Sequence, residues 1–433
     1  MAYTVTPYGA GMIGNDSWVA DQRPKDYREA LLFLRPNGTA PLFALTSRIA
    51  SERTTDPEFN WWEKNLPKQG GAVTKVYVDE AMGTAYSSGA DYSAGSAVFV
   101  NVSAAVAKEF RPGHMVLLRD NSDITNDVRA RVTAVSVNGT SSRISCILLE
   151  ADGTGTTGLS DCDYISVIGN MNAEGALIPE ALSYQPTKYR NYTQIFHTPL
   201  SITRTAMKTR LRTGDALKEM RREALELHGM EIEKSLLYGI ASEDTDPLTG
   251  QPIRSTMGMI NYIETYSSET CFNWSTAPGS SSWPSDAAVD WLDSCMEQIF
   301  RYGSRERTVY CGSGALLGIQ KIARHTGVMQ MEAGVTSIGT KVTKLLSPFG
   351  NLDLFVHPLF SFNPADLYRM VIFDPSNLKE RFIDKTYLKK DDGLRKGGAT
   401  AMDGIKDEYL TEMGLEFHHP PTFAIMDNVG VSV

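Results

Sequence analysis

The sequence predicts an α+β protein made of several parts that cannot all bury their apolar faces within one chain. Three observations support this class: short β-rich runs between residues 72 and 170, one unusually long amphipathic helix near 213–238, and alternating helices and strands from 240 to 380. The chain has 433 residues, 42% of them apolar and 21% charged, which is enough for several domains with true cores. These proportions exclude wholesale disorder.

The charge balance is acidic, with 51 Asp and Glu against 42 Lys and Arg and a net charge of −9. A protein that bound DNA or an anionic membrane over its whole surface would be basic. No window approaches about 18 consecutive apolar residues, so we expect no membrane-spanning helix. The N-terminus lacks a secretory-signal pattern, and the five cysteines contain no C-x-x-C pair. We therefore expect reduced thiols in a protein made in the cytoplasm.

The N-terminal stretch predicts an irregular arm. Glycines and prolines prevent long elements in residues 1–26, and short helices are predicted at Asp26–Arg35 and Leu42–Ile49. Two adjacent tryptophans, Trp61 and Trp62, follow near the end of this loosely structured segment. Because so thin a segment cannot bury two indole rings, we expect another part of the chain or a neighbouring chain to cover both.

Residues 72–170 predict a small β-barrel or sandwich. Turn dipeptides separate the β-rich runs, and Asn138-Gly139 between two alternating runs is a strong hairpin signal. The predicted strands are Val73–Val78, Ala97–Ser103, His114–Arg119, Val128–Val137, Arg143–Leu149 and Asp163–Ile168.

The strongest helix signal runs from about Thr213 to Tyr238, with Thr213 as the expected N-cap, Asp215 in the first turn and Gly239 after the end. About 25 residues at 1.5 Å each make a rod of roughly 37 Å. The predicted apolar stripe, expected to face a terminal β segment at Tyr409–Met426, is Leu217, Met220, Ala224, Leu225, Ile232, Leu236 and Leu237. The charged positions expected to face solvent or a neighbour are Arg221, Arg222, Glu226 and Glu233.

The remaining elements predict an α/β unit followed by a β segment. They are a strand at about Tyr192–His197, a helix at Asp286–Arg301, a strand at Thr308–Cys311, a helix to about Arg324, a hairpin of Lys341–Leu346 with Leu352–His357, and strands at Leu367–Phe373, Tyr409–Phe417 and Thr422–Met426. The mixed charges of Lys389-Lys390-Asp391-Asp392 predict an exposed loop.

The motifs point to no catalytic chemistry. Residues 9–14 match G-x-G-x-x-G without a preceding apolar strand, and residues 334–341 only approach a phosphate loop. No G-x-S-x-G or H-E-x-x-H occurs in the sequence. The turn Gly312-Ser313-Gly314 leads from a strand into a helix, so it is either a plain tight turn or an anion site. We assign no catalytic residue, cofactor or metal ligand.

The clearest basic clusters are the run Arg204, Lys208, Arg210, Arg212 and the pair Arg221-Arg222. They predict a solvated helix face or ion pairs between subunits, and direct contact with nucleic acid is the alternative.

Several segments carry a family resemblance: Ala40-Pro41-Leu42 through Trp61-Trp62, Glu174-Gly175-Ala176, and Ser201-Ile202-Thr203-Arg204-Thr205 before the long helix. The most specific is Asn191-Tyr192-Thr193-Gln194-Ile195-Phe196. With these the chain resembles the major capsid proteins of tailed bacteriophages that share the Hong Kong ninety-seven (Johnson) fold, in the SU-ten-like branch with a β insert.

The resemblance implies an arm (1–70), an extended loop with the β insert (71–190), a peripheral domain with a spine helix (191–250), an axial domain (251–380) and return strands of the peripheral domain (381–433). It implies hexamers and pentamers of a virion shell around double-stranded DNA, contacted only non-specifically, with scaffold, portal and decoration proteins as possible partners. Candidate interface residues are Trp61, Trp62, Arg204, Arg210, Arg221 and Arg222. The alternatives are a two-domain α/β enzyme using the 312–314 turn, or another phage structural protein.

Overall fold

The computed structural model describes residues 49–64, 67–87, 92–121, 127–152, 158–175, 181–209, 215–326, 331–337, 340–391 and 404–432. The chain divides into two compact units, one made of residues up to Trp61 together with Tyr189–Val433, and the other of Trp62–Lys188. We call the first the main unit and the second the barrel unit. The helix predicted at Asp26–Arg35, and all of Leu42–Ile49 but its last residue, lie outside the described residues. The five-part division of the chain stays a prediction.

The regular elements follow one another as mixed helices and strands. The strands are β1 (Ser51–Arg53), β2 (Glu58–Glu63), β3 (Gly70–Tyr77), β4 (Ala97–Val102), β5 (His114–Arg119), β6 (Val128–Ser136), β7 (Ser142–Leu148), β8 (Tyr164–Asn170), β9 (Thr187–Tyr192), β10 (Gln194–Thr203), β11 (Ser242–Thr245), β12 (Pro252–Ser255), β13 (Cys271–Asn273), β14 (Glu306–Cys311), β15 (Met331–Ser337), β16 (Thr340–Leu346), β17 (Asn351–Val356), β18 (Met370–Phe373), β19 (Leu378–Asp391), β20 (Gly404–Phe417) and β21 (Ala424–Asp427). The helices are α1 (Ala104–Ala107), α2 (Arg204–Lys208), α3 (Ala216–Tyr238), α4 (Met259–Tyr266), α5 (Asp286–Ile299), α6 (Ser313–Thr326) and α7 (Pro358–Phe362).

The barrel unit confirms the predicted β insert. Its strands close in the order β3–β4–β7–β6–β5–β8. Alternate residues point inward because side chains change face at every step of a strand, and Val98, Val100 and Val102 of β4 are fully buried. The predicted hairpin joins β6 to β7, where Gly139 has a φ of 53° that favours glycine. Each strand lies close to the run predicted for it.

The main unit contains a four-stranded sheet in the order β1–β19–β20–β10. Strand β10 alternates strictly between buried and exposed residues, so one face of this sheet is covered. Helix α3 packs on that face against β10 and β20. The predicted packing of the long helix on the terminal β segment is therefore correct for β20, and the sequence missed β10 as its main partner.

A second, seven-stranded sheet in the order β13–β21–β18–β14–β17–β16–β15 separates two apolar cores. Alternation along β14 sends Val309 and Cys311 into the core shared with α5 and α6, and Tyr310 into the core shared with α3 and α4. Strand β18 does the same, because Met370 and Ile372 join the first core while Val371 and Phe373 join the second. Helices therefore cover both faces of this sheet, which explains why β18 is buried throughout.

The long helix is confirmed as α3, an unbroken run of 23 residues, with differences at both ends. Its N-cap is Asp215, whose side chain accepts a hydrogen bond from the backbone N–H of Leu217, and Thr213 lies outside the described residues. At the other end Gly239 has a negative φ of −60°. Glycine is needed there because a Cβ would lie 2.4 Å from the carbonyl oxygens of Ser235 and Thr256.

The predicted exposed loop at 389–392 is wrong. Lys389, Lys390 and Asp391 belong to β19, which pairs with β20 over its length, and Asp392 lies outside the described residues. The charges misled the prediction because the side chain of Lys389 points to solvent and pairs with Glu408 at 2.7 Å on the neighbouring strand. A strand with one open face can carry charges without being a loop.

Candidate assembly interface

The tryptophan pair lies on β2, where adjacent side chains point to opposite sides. Trp61 is 7% exposed and its ring stacks near those of Phe59, Tyr189 and His418, at centroid distances of 6.2, 5.8 and 6.4 Å. Trp62 is 63% exposed. Other residues of the chain therefore cover Trp61, as expected, whereas cover of Trp62 by a neighbouring chain stays a prediction.

An ionic cluster lies at the end of β20 beside the Trp61 stack. Arg381 of β19 bonds to Glu416 and pairs with Glu52 of β1 at 2.8 Å, while His418 lies 2.5 Å from the second oxygen of Glu416. Burial acts to raise the pKa of Glu416, but the hydrogen bonds with His418 and Arg381 outweigh it and hold the pKa below its usual value. The cluster therefore joins the side chains of β1, β19 and β20 within the four-stranded sheet.

Arg221 was expected to face solvent or a neighbour, and that expectation is wrong. Its guanidinium lies 2.5 Å from the carboxylate of Asp407 on β20, and this carboxylate is only 1% exposed. The pair fastens the first half of α3 to the sheet. Arg222, the next residue, is exposed and lies 3.5 Å from Glu226, one helical turn later.

Arg204 and Arg210 belong to the segment between β10 and α3. Arg204 opens α2 and is exposed, and the Thr203 side chain caps that helix by accepting from the N–H of Ala206. Arg210 lies outside the described residues. Of the predicted interface residues, Trp62, Arg204 and Arg222 are therefore exposed, whereas Trp61 and Arg221 serve the fold of the main unit.

Glu233 was also expected on the outer face of the helix, and this is wrong. Glu233 and His357 are both fully buried, with 2.7 Å between Oε1 and Nε2. The Nδ1 atom of His357 accepts the backbone N–H of Leu359, so the proton lies on Nε2, which donates to Glu233. This pair joins α3 to the start of α7.

A second histidine, His228, fastens the middle of α3 to the sheet. Its Nδ1 lies 2.9 Å from Oγ1 of Thr198 on β10, and its Nε2 lies 2.7 Å from Oγ1 of Thr411 on β20. Burial lowers the pKa of His228, although the charge of Glu231 acts in the opposite direction. Helical periodicity does not predict this contact, because it counts only apolar residues as buried.

The turn at 312–314 leaves no room for an anion. The N–H of Ser313 donates to Oγ of Ser361, and that of Ala315 donates to the carbonyl of Leu367. A Cβ on Gly312 would meet the Leu367 carbonyl oxygen at 2.2 Å. The N–H groups of Ser313 and Ala315 are thus already bound by the protein, and Gly312 serves close packing rather than ligand binding.

The described residues were also searched for a metal site and for a membrane-spanning helix. Among the residues that the structure describes, no group of three or more His, Cys, Asp or Glu side chains is arranged to hold a metal ion. The described helices include none that is both long and apolar enough to cross a membrane. All five cysteines are free.

Comparison with known proteins identifies the family. The family model of the SU10 major capsid protein matches residues 4–430. The major capsid protein of Pseudomonas phage PaMx41 is 24% identical over 415 residues, which cover 93% of this chain and 91% of that protein. Two solved structures are similar at TM-scores below 0.5. Mycobacterium phage Bobi has a TM-score of 0.44 with 8% identity and coverage of 96% of this chain and 98% of that one. The capsid of a native GTA particle has a TM-score of 0.41 with 8% identity and coverage of 94% and 95%.

The family assignment therefore rests on the sequence matches, which run through both units and include the segments from Asn191 to Thr205. On this evidence the chain belongs to the SU10 major capsid protein family.

Proposed function

We propose that this chain is the shell subunit of a tailed-phage head, that it forms hexamers and pentamers, and that the closed icosahedral shell encloses double-stranded DNA. The match of the capsid family model over residues 4–430 carries the proposal. The large exposed indole of Trp62 supports it, because an aromatic ring of this size in water favours an interface with another chain.

The charge of the chain fits this role. A net charge of −9 suits a container for DNA, since a strongly basic inner surface would hold the genome during packaging. Contact with DNA is then non-specific. Scaffold, portal and decoration proteins are the partners that such a shell would engage, and the protein is made in the host cytoplasm before it joins the virion.

We further propose that the subunit has no catalytic turnover. The competing enzyme hypothesis needs an anion site at residues 312–314, and the amides of that turn are bound by Ser361 and Leu367 instead. The third hypothesis, a decoration or tail protein, is disfavoured by the match to a major capsid protein over nearly the whole chain.

Electron microscopy of the full chain tests the proposal. The chain is expressed alone and together with the other head proteins of its phage, and each preparation is examined by negative stain and native mass spectrometry. We expect rings of five and six copies and closed shells. A chain that stays monomeric at high concentration in both preparations would contradict the proposal.

A further inference from the structure

The hairpin between β6 and β7 contains a chemically reactive pair of residues, Asn138-Gly139. In an Asn-Gly pair the backbone nitrogen of the glycine can attack the side-chain carbonyl carbon of the asparagine, because glycine has no Cβ to hinder the approach. The sequence holds a second such pair, Asn37-Gly38. The pair in the hairpin is the one whose conformation the structure describes.

Crowding does not protect the hairpin pair. Asn138 and Gly139 are both exposed, and the Asn138 side chain makes no capping hydrogen bond to the 3₁₀ turn of Gly139–Ser141. A Cβ built on Gly139 would meet nothing within 4 Å. Water therefore reaches both residues, and any protection has to come from the backbone conformation.

The backbone of Asn138 holds the two reacting atoms apart. Cyclisation joins the Gly139 nitrogen to Cγ of Asn138 in a five-membered ring, so this nitrogen must lie nearly eclipsed with Cβ. Substituents on the tetrahedral Cα are about 120° apart when viewed along the Cα–C bond. With ψ at 75°, the Gly139 nitrogen lies on the side of that bond opposite Cβ. The native turn therefore blocks the attack.

Three hydrogen bonds hold this turn. The carbonyl oxygen of Asn138 accepts from the N–H of Ser141 at 3.0 Å. The N–H of Asn138 donates to Oγ of Ser142 at 2.9 Å, and this hydroxyl donates to the carbonyl oxygen of Gly139 at 2.9 Å. Ser142 is fully buried where β7 pairs with β4. Because rotation of ψ at Asn138 turns the peptide group that carries its carbonyl, the attack requires that the turn first open.

We propose that Asn138 is a deamidation site whose reactivity the hairpin controls: the closed turn preserves the amide, and opening of the turn brings the Gly139 nitrogen to Cγ. In the open turn the bond from this nitrogen to Cγ forms, the bond from Cγ to Nδ2 breaks, and ammonia leaves. Water then opens the imide ring at either carbonyl and leaves aspartate or isoaspartate. One water is consumed and one ammonia is released, without an oxidant or a reductant.

The modification would mark barrel units that have opened. Either product adds a negative charge to the turn, and isoaspartate also lengthens the backbone by one carbon. Since loop length fixes the register of a hairpin, a chain with isoaspartate at position 138 should not close again with the same pairing of β6 and β7. This control of the reaction does not depend on the proposed shell function.

Peptide mapping by mass spectrometry tests the proposal on the full-length chain. Samples are incubated at neutral pH under native conditions and in denaturant, where Asn37-Gly38 is the internal reference for an unprotected pair. We expect both pairs to lose ammonia at similar rates in denaturant. In the native chain Asn138 should react at least about tenfold more slowly than in denaturant, because a local opening must precede the attack.

Two variants show whether the turn is the source of the protection. Ser142→Ala removes the hydroxyl that bonds to Asn138 and Gly139, so the native reaction should become faster by about threefold or more. The matched control is Ser141→Ala, which keeps the backbone N–H and changes an exposed side chain, and it should react like the wild type. Circular dichroism and thermal unfolding check that both variants fold, and a Ser142→Ala chain with an unfolded barrel should react at the rate seen in denaturant.

A native Asn138 that reacts as fast as in denaturant, or that keeps its amide in denaturant while Asn37 reacts, would overturn the proposal. Equal native rates for Ser142→Ala and Ser141→Ala would overturn it as well, since the turn would then not control the reaction.

Discussion

The two units of the molecule are stabilised in different ways. The barrel unit has an apolar core built from residues 73–165, and its ion pairs, such as Arg119 with Asp127, lie at least partly in solvent. The main unit also has apolar cores, but it buries polar and charged contacts between parts of the chain that are far apart in sequence. Arg307 and Asp374 form one such pair, at 0% and 3% exposure.

This difference explains what each unit needs in order to fold. The barrel gains its stability from many similar apolar contacts, so no single side chain dominates. In the main unit a buried charge depends on one partner, and the loss of that partner leaves the other charge in a low-dielectric surrounding. Substitutions that remove one member of a buried ion pair should therefore show most clearly how the stabilities of the two units differ.

The largest effect is expected from Arg307→Met. The guanidinium lies 2.5 Å from Asp374, and its removal leaves a buried carboxylate without its counter-charge. We expect a loss of about 3–5 kcal/mol in the free energy of unfolding, measured by denaturant titration. The matched control is Arg301→Met, because Arg301 pairs with Glu297 at the surface, where such pairs contribute about 1 kcal/mol or less. Equal losses for both variants would contradict the distinction between buried and exposed pairs.

The next largest loss of stability is expected from Ala224→Pro. Ala224 lies inside α3 and is 6% exposed, so proline there removes a helical hydrogen bond and clashes with the preceding turn. We expect a loss of about 3 kcal/mol or more and no soluble assembly. The control Glu226→Lys, on the exposed side of the same helix, should leave the melting temperature unchanged. If the proline variant were as stable as the control, α3 would not be the element on which the main unit depends.

A conservative substitution in the core of the barrel unit should lower the free energy of unfolding much less. Ile144 is fully buried on β7, and Ile144→Val removes one methylene from a core of many similar contacts. We expect a loss of about 0.5–1.5 kcal/mol. Hydrogen exchange followed by mass spectrometry should place the faster exchange in peptides of residues 70–170 alone. Faster exchange throughout the main unit would show that the two units do not unfold independently.

The pH dependence of the main unit should include the titration of His228. Burial holds its pKa below the ordinary value, so the unfolded chain binds a proton more readily than the folded one. The stability contributed by the neutral ring is complete above the unfolded pKa, about 6.5, and is lost as the pH falls towards the lower folded pKa. His228→Gln should flatten stability between pH 7 and pH 5, whereas a slope equal to that of the wild type would exclude His228 as its source.

Sequence reasoning predicted the barrel well because its information is local. The runs around β4 and β7 and the turn at Asn138-Gly139 each specify a strand or hairpin without reference to distant residues. The family signature at Asn191 was recognised as a pattern, but its physical reason required the fold. Asn191 is fully buried, donates to the carbonyl of Leu415 at 2.7 Å and accepts from the N–H of Met257 at 2.7 Å. No local rule could find partners that lie 66 and 224 residues away along the chain.

The predictions for individual side chains of α3 depended on distant partners in the same way. Periodicity placed Leu225 in the core and Glu233 in solvent, and the fold reverses both, because His357 supplies a buried partner for the carboxylate and the described part of the chain leaves the leucine 46% exposed. Likewise, the sequence could not tell that Arg221 would find Asp407 on a strand 186 residues away. Composition predicts which residue types need partners, and only the fold decides whether the partner lies in the same chain.

The smallest effect on folding is expected from Trp62→Ala, at the point where the two units meet in sequence. Its ring is 63% exposed, and Nζ of Lys188 lies 5.9 Å from the ring centroid. A surface change of this kind should alter the free energy of unfolding by no more than about 0.5 kcal/mol. The same substitution should lower the yield of assembled particles, because an interface that covers a large aromatic ring loses one of its strongest anchors.

Trp62→Phe keeps much of the apolar area and should restore most of the yield, which distinguishes packing of the ring from a general disturbance of β2. Particle counts by electron microscopy and unfolding curves on the same preparations provide the two readouts. If Trp62→Ala assembled like the wild type, the exposed ring would be an incidental surface residue and the interface would have to rely on other contacts. If it lowered both stability and assembly, Trp62 would belong with Trp61 to the fold of the single chain.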